Sequence, residues 1–244
     1  MLGSIDYMHW KWKNCPAAWK GIHTSGFKAK HPTMILEAVA DYRLWIWHAY
    51  FGVARSNNDI NVLQSSPLFN DQCNGVGPAI SFIANGNQHN MGYYLADGIY
   101  PSWPVFVKTI KHAIGPKKSY FATRQEAARK DVERASGVLQ SRWAMVRGPA
   151  RQWYIPNIGD IMYSCIILHN MIVESEGDEL TQWTSEDDTG AGPSHGEGTA
   201  NVNMGVPHGE VERLRAFADM RQRNAHIRLQ EDIIEEVWTR RGGH

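Results

Sequence analysis

No run of about 18 apolar residues occurs in this chain, so nothing in it reads as a membrane-spanning helix. The first residues, "MLGSIDYMHW", lack the basic start and apolar stretch of a secretory signal, and a soluble protein is expected. Cysteine is scarce: Cys15, Cys73 and Cys165 are odd in number, widely spaced and outside any CxxC pair. That excludes a disulfide framework and a zinc finger and suits a reducing, intracellular compartment. No internal repeat is present. Residues 174–197 contain no Lys or Arg at all against 8 acids.

What is there is unevenly distributed. A formal net charge of zero hides a basic first part, with 18 Lys+Arg against 10 Asp+Glu over residues 1–173, while residues 198–244 carry 7 of each sign. Any surface for an acidic partner therefore belongs to the first part. The length of 244 residues allows one main domain with accessories.

Periodicity gives the elements. "LGSIDYMHWKW" alternates as a strand does, and "TMILEAVADYRLWIWHAYFG" holds two apolar runs, 33–40 and 44–51, around the polar turn "DYR", an antiparallel hairpin. Ser and Asn caps after Gly52 predict a short helix starting near Asn58. Asn85-Gly86 is a hairpin turn, and "MGYYLAD" is a strand that ends at Asp97. "PSWPVFVKTIK" begins with Pro and then follows helical spacing. The longest helical signal runs from Thr123 to Val146, with Ala128, Val132, Ala135, Leu139, Trp143 and Val146 on one face. A further apolar helix, "IGDIMYSCIILHNMIV", ends at Glu174, and His169 and Asn170 on it read as packing residues. The acidic, Gly- and Ser-rich stretch that follows has no periodicity and reads as a disordered linker. A last amphipathic helix spans about Glu210 to Arg240. The division expected is 1–173 for an α/β domain with a mixed sheet, 174–208 for the linker and 209–244 for the terminal helix.

Three acids stand out by position: Asp6 inside the first strand, Asp97 at a strand end, and Glu133 on the long helix. A carboxylate flanked by Ile5 and Tyr7 is costly to bury unless something cationic meets it. Hard divalent cations prefer oxygen ligands, and a pair of them activates a hydroxyl and stabilises a leaving oxygen in phosphodiester cleavage. Each acid also has a plain structural reading, as a turn former or as a solvated ion-pair member.

"SIDYMHW", "GVARSNNDINVLQSSPLF", "YYLADGIYP", "RKDVERASGVLQSRW" and "CIILHNMIV" occur in this order over roughly residues 3–174. Together they resemble consecutive motifs of the plant PIF/Harbinger transposases and transposase-derived nucleases, and "IRLQEDIIEEVW" in the terminal helix is similar too. The resemblance implies an RNase H-like core with a DDE triad: Asp6 on the first strand, Asp97 on the fourth and Glu133 on the long helix, holding two Mg²⁺ or Mn²⁺ ions. Thirty-five residues separate Asp97 from Glu133, a spacing familiar from such enzymes. Asp59 also falls on a family motif, where it caps the first helix or supports the metal site from nearby, or else replaces Asp97 as the second acid.

DNA is the implied partner. Arg129, Lys130, Arg134 and Arg142, with Arg124, Arg147 and Arg151, gather on or just after the helix of Glu133, where Lys/Arg contacts would neutralise phosphates. The alternative is a helix surface laced with pairs such as Glu126–Lys130. "KWKNCPAAWKG" is a second basic-aromatic candidate, where Trp stacks on an unpaired base or packs in the core. His9 and His48 orient water or metal, or pack.

Against the family pattern, a helical DNA-binding region is expected before the first strand and is not in this sequence, which would be an amino-terminal truncation with target choice either missing or left to a separate protein. Ser136 stands where the family has a large aromatic, a change that opens a cavity costing about 3–5 kcal/mol if it faces the core. "HTSGFKAKHP" lacks an arginine of the usual segment. The expected function is a metal-dependent DNA endonuclease or strand transferase in the nucleus, or in the cytoplasm without a partner. The alternatives are a domesticated, non-catalytic protein that binds a chromatin or Myb-like partner through its terminal helix, and an RNase H-like hydrolase acting on RNA.

Overall fold

The computed structural model describes residues 1–24, 31–54, 62–63, 65–69, 80–177 and 223–242. The fold is mixed α/β: a five-stranded sheet flanked by helices, as expected of an RNase H-like core, with a separate two-stranded hairpin and a carboxy-terminal helix. The chain divides into two compact units. One comprises Gly3–Pro67 and Arg129–Leu180, the other Met1–Leu2, Leu68–Ala128 and Thr181–His244.

In the first unit, β1 (Gly3–Lys11), β2 (Thr33–Ala40) and β3 (Ile46–Ala54) pair antiparallel, with Asp6 opposite Ala38 and Tyr7 opposite Glu37. The expected turn between β2 and β3 is organised by Asp41, whose Oδ1 accepts from the backbone of Arg43 (2.9 Å) and Trp45 (3.1 Å). Side chains alternate across a strand, so Met8 and Trp10 of β1 share one face with Met34, Leu36 and Ala38 of β2. That face carries the core, closed by Val132, Ala135 and Leu139 of one helix and Ile158, Met162 and Ile166 of another. Asp6 has the same parity as Met8 and Trp10, so alternation assigns it to the helix-covered face.

The long helix expected from Thr123 to Val146 is three shorter ones: α2 (Pro116–Arg129), α3 (Asp131–Arg142) and α4 (Ala144–Arg147), with α1 (Ala17–His23) earlier in the chain. Lys130, at the first break, is still αR, whereas Trp143, at the second, is extended (φ −115°, ψ 102°); Ala128 packs with the core of one unit and Val132, Ala135 and Leu139 with that of the other. Periodicity sees the row and not the joints. Ser136 is only partly buried, beside the row of Val132, Ala135 and Leu139 rather than in it, so the predicted core cavity has no core-facing position to open in. α5 (Ile155–Glu176) is pinned to β3 by Asn170, which donates to the carbonyl of Ile46 and accepts from its N–H, and by His169 Nε2 against the Leu44 carbonyl at 2.8 Å. The packing roles expected of these two residues are observed.

In the second unit, β4 (Phe82–Ala84) and β5 (Asn87–His89) form the expected hairpin, with Asn85 at φ 51° and Gly86 at φ 73°, the left-handed pair that an Asn-Gly turn supplies. β6 (Tyr94–Ala96) pairs parallel with β7 (Phe106–Lys108), and in chain order β6 is the fourth strand of the larger sheet. β7 corrects the helical reading of "PSWPVFVKTIK": Val105, Phe106 and Val107 are fully buried, and a short continuous apolar run is equally a buried parallel strand. α6 (Arg223–Arg240) packs Leu229, Ile233 and Ile234 with Leu95, Val107 and Phe121. The remainder of the predicted terminal helix, residues 210–222, the start of the short helix predicted near Asn58 and all but the first four residues of the predicted linker lie outside the described residues, while Val62 and Leu63 are helical.

Candidate catalytic centre

Asp6 is placed by β1 and Glu133 by the first turn of α3, and both belong to the first unit. Between them stands Arg129. Its Nη1 lies 2.8 Å from Glu133 Oε1 and 3.7 Å from Asp6 Oδ2, so the two carboxylates are no farther apart than those two legs laid end to end. Arg129 is itself largely buried, with 11% of its side chain exposed, against 32% for Asp6 and 46% for Glu133. Asp6 Oδ1 also accepts from the backbone N–H of Tyr7 at 2.8 Å. The cost anticipated for a charge in an apolar strand is thus met in two ways: Asp6 keeps some contact with water, and a guanidinium faces it.

Asp97 lies in the second unit, just past the end of β6. Its Oδ1 accepts from the N–H of Gly98 and its carbonyl from the N–H of Tyr100, so it opens the turn that the following Gly and Pro suggested. The strand end beneath it is held by Gln125 of α2, buried, whose Nε2 donates to the carbonyls of Ala96 and Val107, both at 3.2 Å. Asp59 lies outside the described residues. Among the described residues no three His, Cys, Asp or Glu side chains gather as a ready metal-ligand group. The first unit brings together a carboxylate pair, Asp6 and Glu133, with a cation already between them. Carboxylate oxygens are the donor type that a hard divalent cation takes, and here the position between the two is held by the Arg129 guanidinium.

The expected phosphate-binding residues are mostly engaged with acids. Arg129 serves the pair, Arg134 meets Asp131 at 2.7 Å, and Arg142 meets Glu176; Lys130 is exposed. His9 is exposed and alternation puts it on the face of β1 opposite Asp6. His48 is engaged elsewhere, in a cluster that sequence reasoning passed over. Glu37, fully buried in β2, accepts at Oε1 from Ser66 Oγ and lies 3.1 Å from His48 Nε2, and its Oε2 has no partner among the described residues. The signal was present: a single carboxylate inside "TMILEAVA" is the argument made for Asp6, and it applies to Glu37 with more force. Asp131, also unanticipated, is buried at the start of α3, where burial pushes its carboxyl up to about 6 against the pull of Arg134 and with the push of Asp41.

A family model described as a plant transposon protein matches residues 1–180 of the chain. No curated protein matches it, and no solved structure does.

Proposed function

This chain belongs to the plant transposon protein family, and from that premise we propose that it is a transposase-derived nuclease of the PIF/Harbinger type, acting on DNA phosphodiester bonds. The observation that carries the reading is the meeting of Asp6 and Glu133, 127 positions apart in the chain, at one cationic point between β1 and α3. The resemblance of "YYLADGIYP" and "GVARSNNDINVLQSSPLF" to PIF/Harbinger motifs is what suggests Asp97 as the third acid and Asp59 as a supporting one. Asp6, Asp97 and Glu133 would hold Mg²⁺ or Mn²⁺, which when bound supply positive charge against the scissile phosphate and an activated hydroxyl. The protein's own contribution is placement. β1 fixes Asp6 by its alternation, α3 fixes Glu133 one turn after Arg129, and the Arg129 guanidinium faces both carboxylates.

Nicking of supercoiled plasmid with Mg²⁺ or Mn²⁺ tests this, comparing the wild type with Asp6→Asn, Asp97→Asn and Glu133→Gln. The reading expects cleavage by the wild type and a loss of at least a hundredfold in each variant. Wild-type cleavage no greater than that of Asp97→Asn would end it.

One observation favours a second reading. The Asp6–Arg129–Glu133 contact is an internally satisfied ion-pair network, as a protein that retains the fold without the chemistry would have. Such a domesticated protein would bind nuclear partners and leave plasmid intact.

A further inference from the structure

No Asp or Glu occurs between Asp6 and Glu37, nor between Glu133 and Asp160, and the fold lays part of the first gap against part of the second. Lys13 N donates to the carbonyl of Ala150 and Ala150 N to the carbonyl of Lys11, each at 2.8 Å. Trp12 forms a parallel bridge with Ala150 and donates from Nε1 to the carbonyl of Gln152 at 2.8 Å. Asn14 Nδ2 reaches the carbonyl of Arg151. α1 follows at once and rests its Trp19 on Trp12, ring centres 5.9 Å apart. Burial pushes the Cys15 thiol up, and the charge of Lys20 on the same helix opposes that push.

These contacts set the end of β1, α1 and residues 147–154 side by side within one unit. Lys11, Lys13, Lys20, Arg147 and Arg151 are all exposed there, and among the described residues none of them forms an ion pair with an acid. In this they differ from Arg129, Arg134 and Arg142. Two large rings follow Arg151 in the chain: Trp153 is 71% exposed and Tyr154 60%. An indole left in water two residues from the exposed Arg151 adds little burial to the unit. It is what a base with a free π-face stacks on while its phosphates meet the cations.

We infer that this face docks DNA with an unpaired flank, phosphates along Lys11, Lys13, Lys20, Arg147 and Arg151 and a base on Trp153. The choice of DNA over other polyanions rests on the nuclease reading; the charge and stacking argument does not. Lys11, the last residue of β1, lies five residues beyond Asp6 along the strand, about 16 Å at roughly 3.3 Å per residue. The face therefore begins about five nucleotide steps from Asp6, at about 3.4 Å per step.

Fluorescence anisotropy of the full chain with a labelled single-stranded 20-mer, in EDTA so that no cleavage intervenes, tests the inference. Lys13→Glu/Arg151→Glu should weaken binding at least tenfold and flatten the dependence of log K on log salt by about 1.4, two phosphate contacts at roughly 0.7 each. Trp153→Ala should weaken it at least fivefold while Trp153→Phe stays near wild type, with a blunt-ended duplex binding less tightly than the single strand. All of these side chains are exposed, so the variants should match wild type in circular dichroism. Wild type that fails to bind, unchanged affinity in the charge-reversed variant, or displacement of the 20-mer by polyglutamate at equal charge would each overturn the inference. The plasmid assay separates it from the nuclease reading. Binding lost in these variants with no cleavage by wild type leaves the docking face standing alone, and cleavage by wild type with unaltered binding in the variants leaves the nuclease alone.

Discussion

Arg129 and Asp131, two residues apart, show how local environment assigns opposite roles to charged neighbours. Arg129 is largely buried and still well satisfied because Asp6 and Glu133 both face it. Asp131 is buried with a single exposed arginine for company, and its carboxyl rises to about 6. A carboxyl whose folded value lies above its unfolded value near 3.8 binds its proton more tightly in the native state, so stability falls as pH rises from about 4 to about 6. The cost at neutral pH is about 3 kcal/mol, at roughly 1.4 kcal/mol per pH unit. Asp131→Asn should remove most of that cost, since Arg134, 60% exposed, can turn to water. Urea midpoints at pH 4.5 and 7.5 should show the variant nearly level with wild type at the lower pH and more stable at the higher. An unchanged difference across the two would show that the burial cost is not expressed.

At the scale of elements, the described part of the terminal helix is a piece of the second unit's core rather than a free arm. Asp232 of α6 accepts from Asn85 Nδ2 (3.1 Å) and Asn87 Nδ2 (2.9 Å) and lies 3.0 Å from His89 Nε2, so one carboxylate ties the β4–β5 hairpin to the helix. Burial acts to raise this carboxyl, but the bonds from Asn85, Asn87 and His89 outweigh it and hold the group below the usual range. A depressed folded value means that the stability it contributes is present above about pH 4 and is lost as pH falls through the folded value. Asp232→Ala leaves three polar side chains without their acceptor, and a loss of about 2–4 kcal/mol is expected in urea unfolding at pH 7. A change under 0.5 kcal/mol would mean the clamp is dispensable. Deleting residues 209–244 removes Leu229, Ile233 and Ile234 from the same core, so loss of partner binding after that deletion would report unfolding before it reported a binding helix.

Most of the element inventory was legible because it depends on short-range rules. The alternation of β1, the Asn85-Gly86 turn and the Asp41 turn each need only a few neighbouring residues, and the structure has all three. The strand at Phe106–Lys108 was misread because three buried apolar residues carry no period, and only the neighbouring β6 decides between strand and helix. The break at Lys130 was invisible because the apolar row runs on across it.

For the whole molecule, sequence could nominate the acids but not show what balances them, because Arg129 meets Asp6 only after β1 and the α2–α3 joint have packed. The basic-aromatic face has the same origin, since Lys13 and Arg151 are 138 positions apart and are joined only by the bridge at Trp12 and Ala150. A neutral total charge concealed a division of labour in which, among the described residues, arginines such as Arg129 and Arg134 are spent on internal acids while Arg147 and Arg151 are exposed without one. The central claim is that distant carboxylates act as one cation-holding set in a transposon-derived nuclease. It is tested most directly by electron paramagnetic resonance of Mn²⁺ titrated into wild type, Asp6→Asn, Asp97→Asn and Glu133→Gln. The account predicts saturable binding by wild type that each of the three substitutions weakens at least tenfold; Mn²⁺ affinity unaltered by all three, or no binding by wild type, would contradict it.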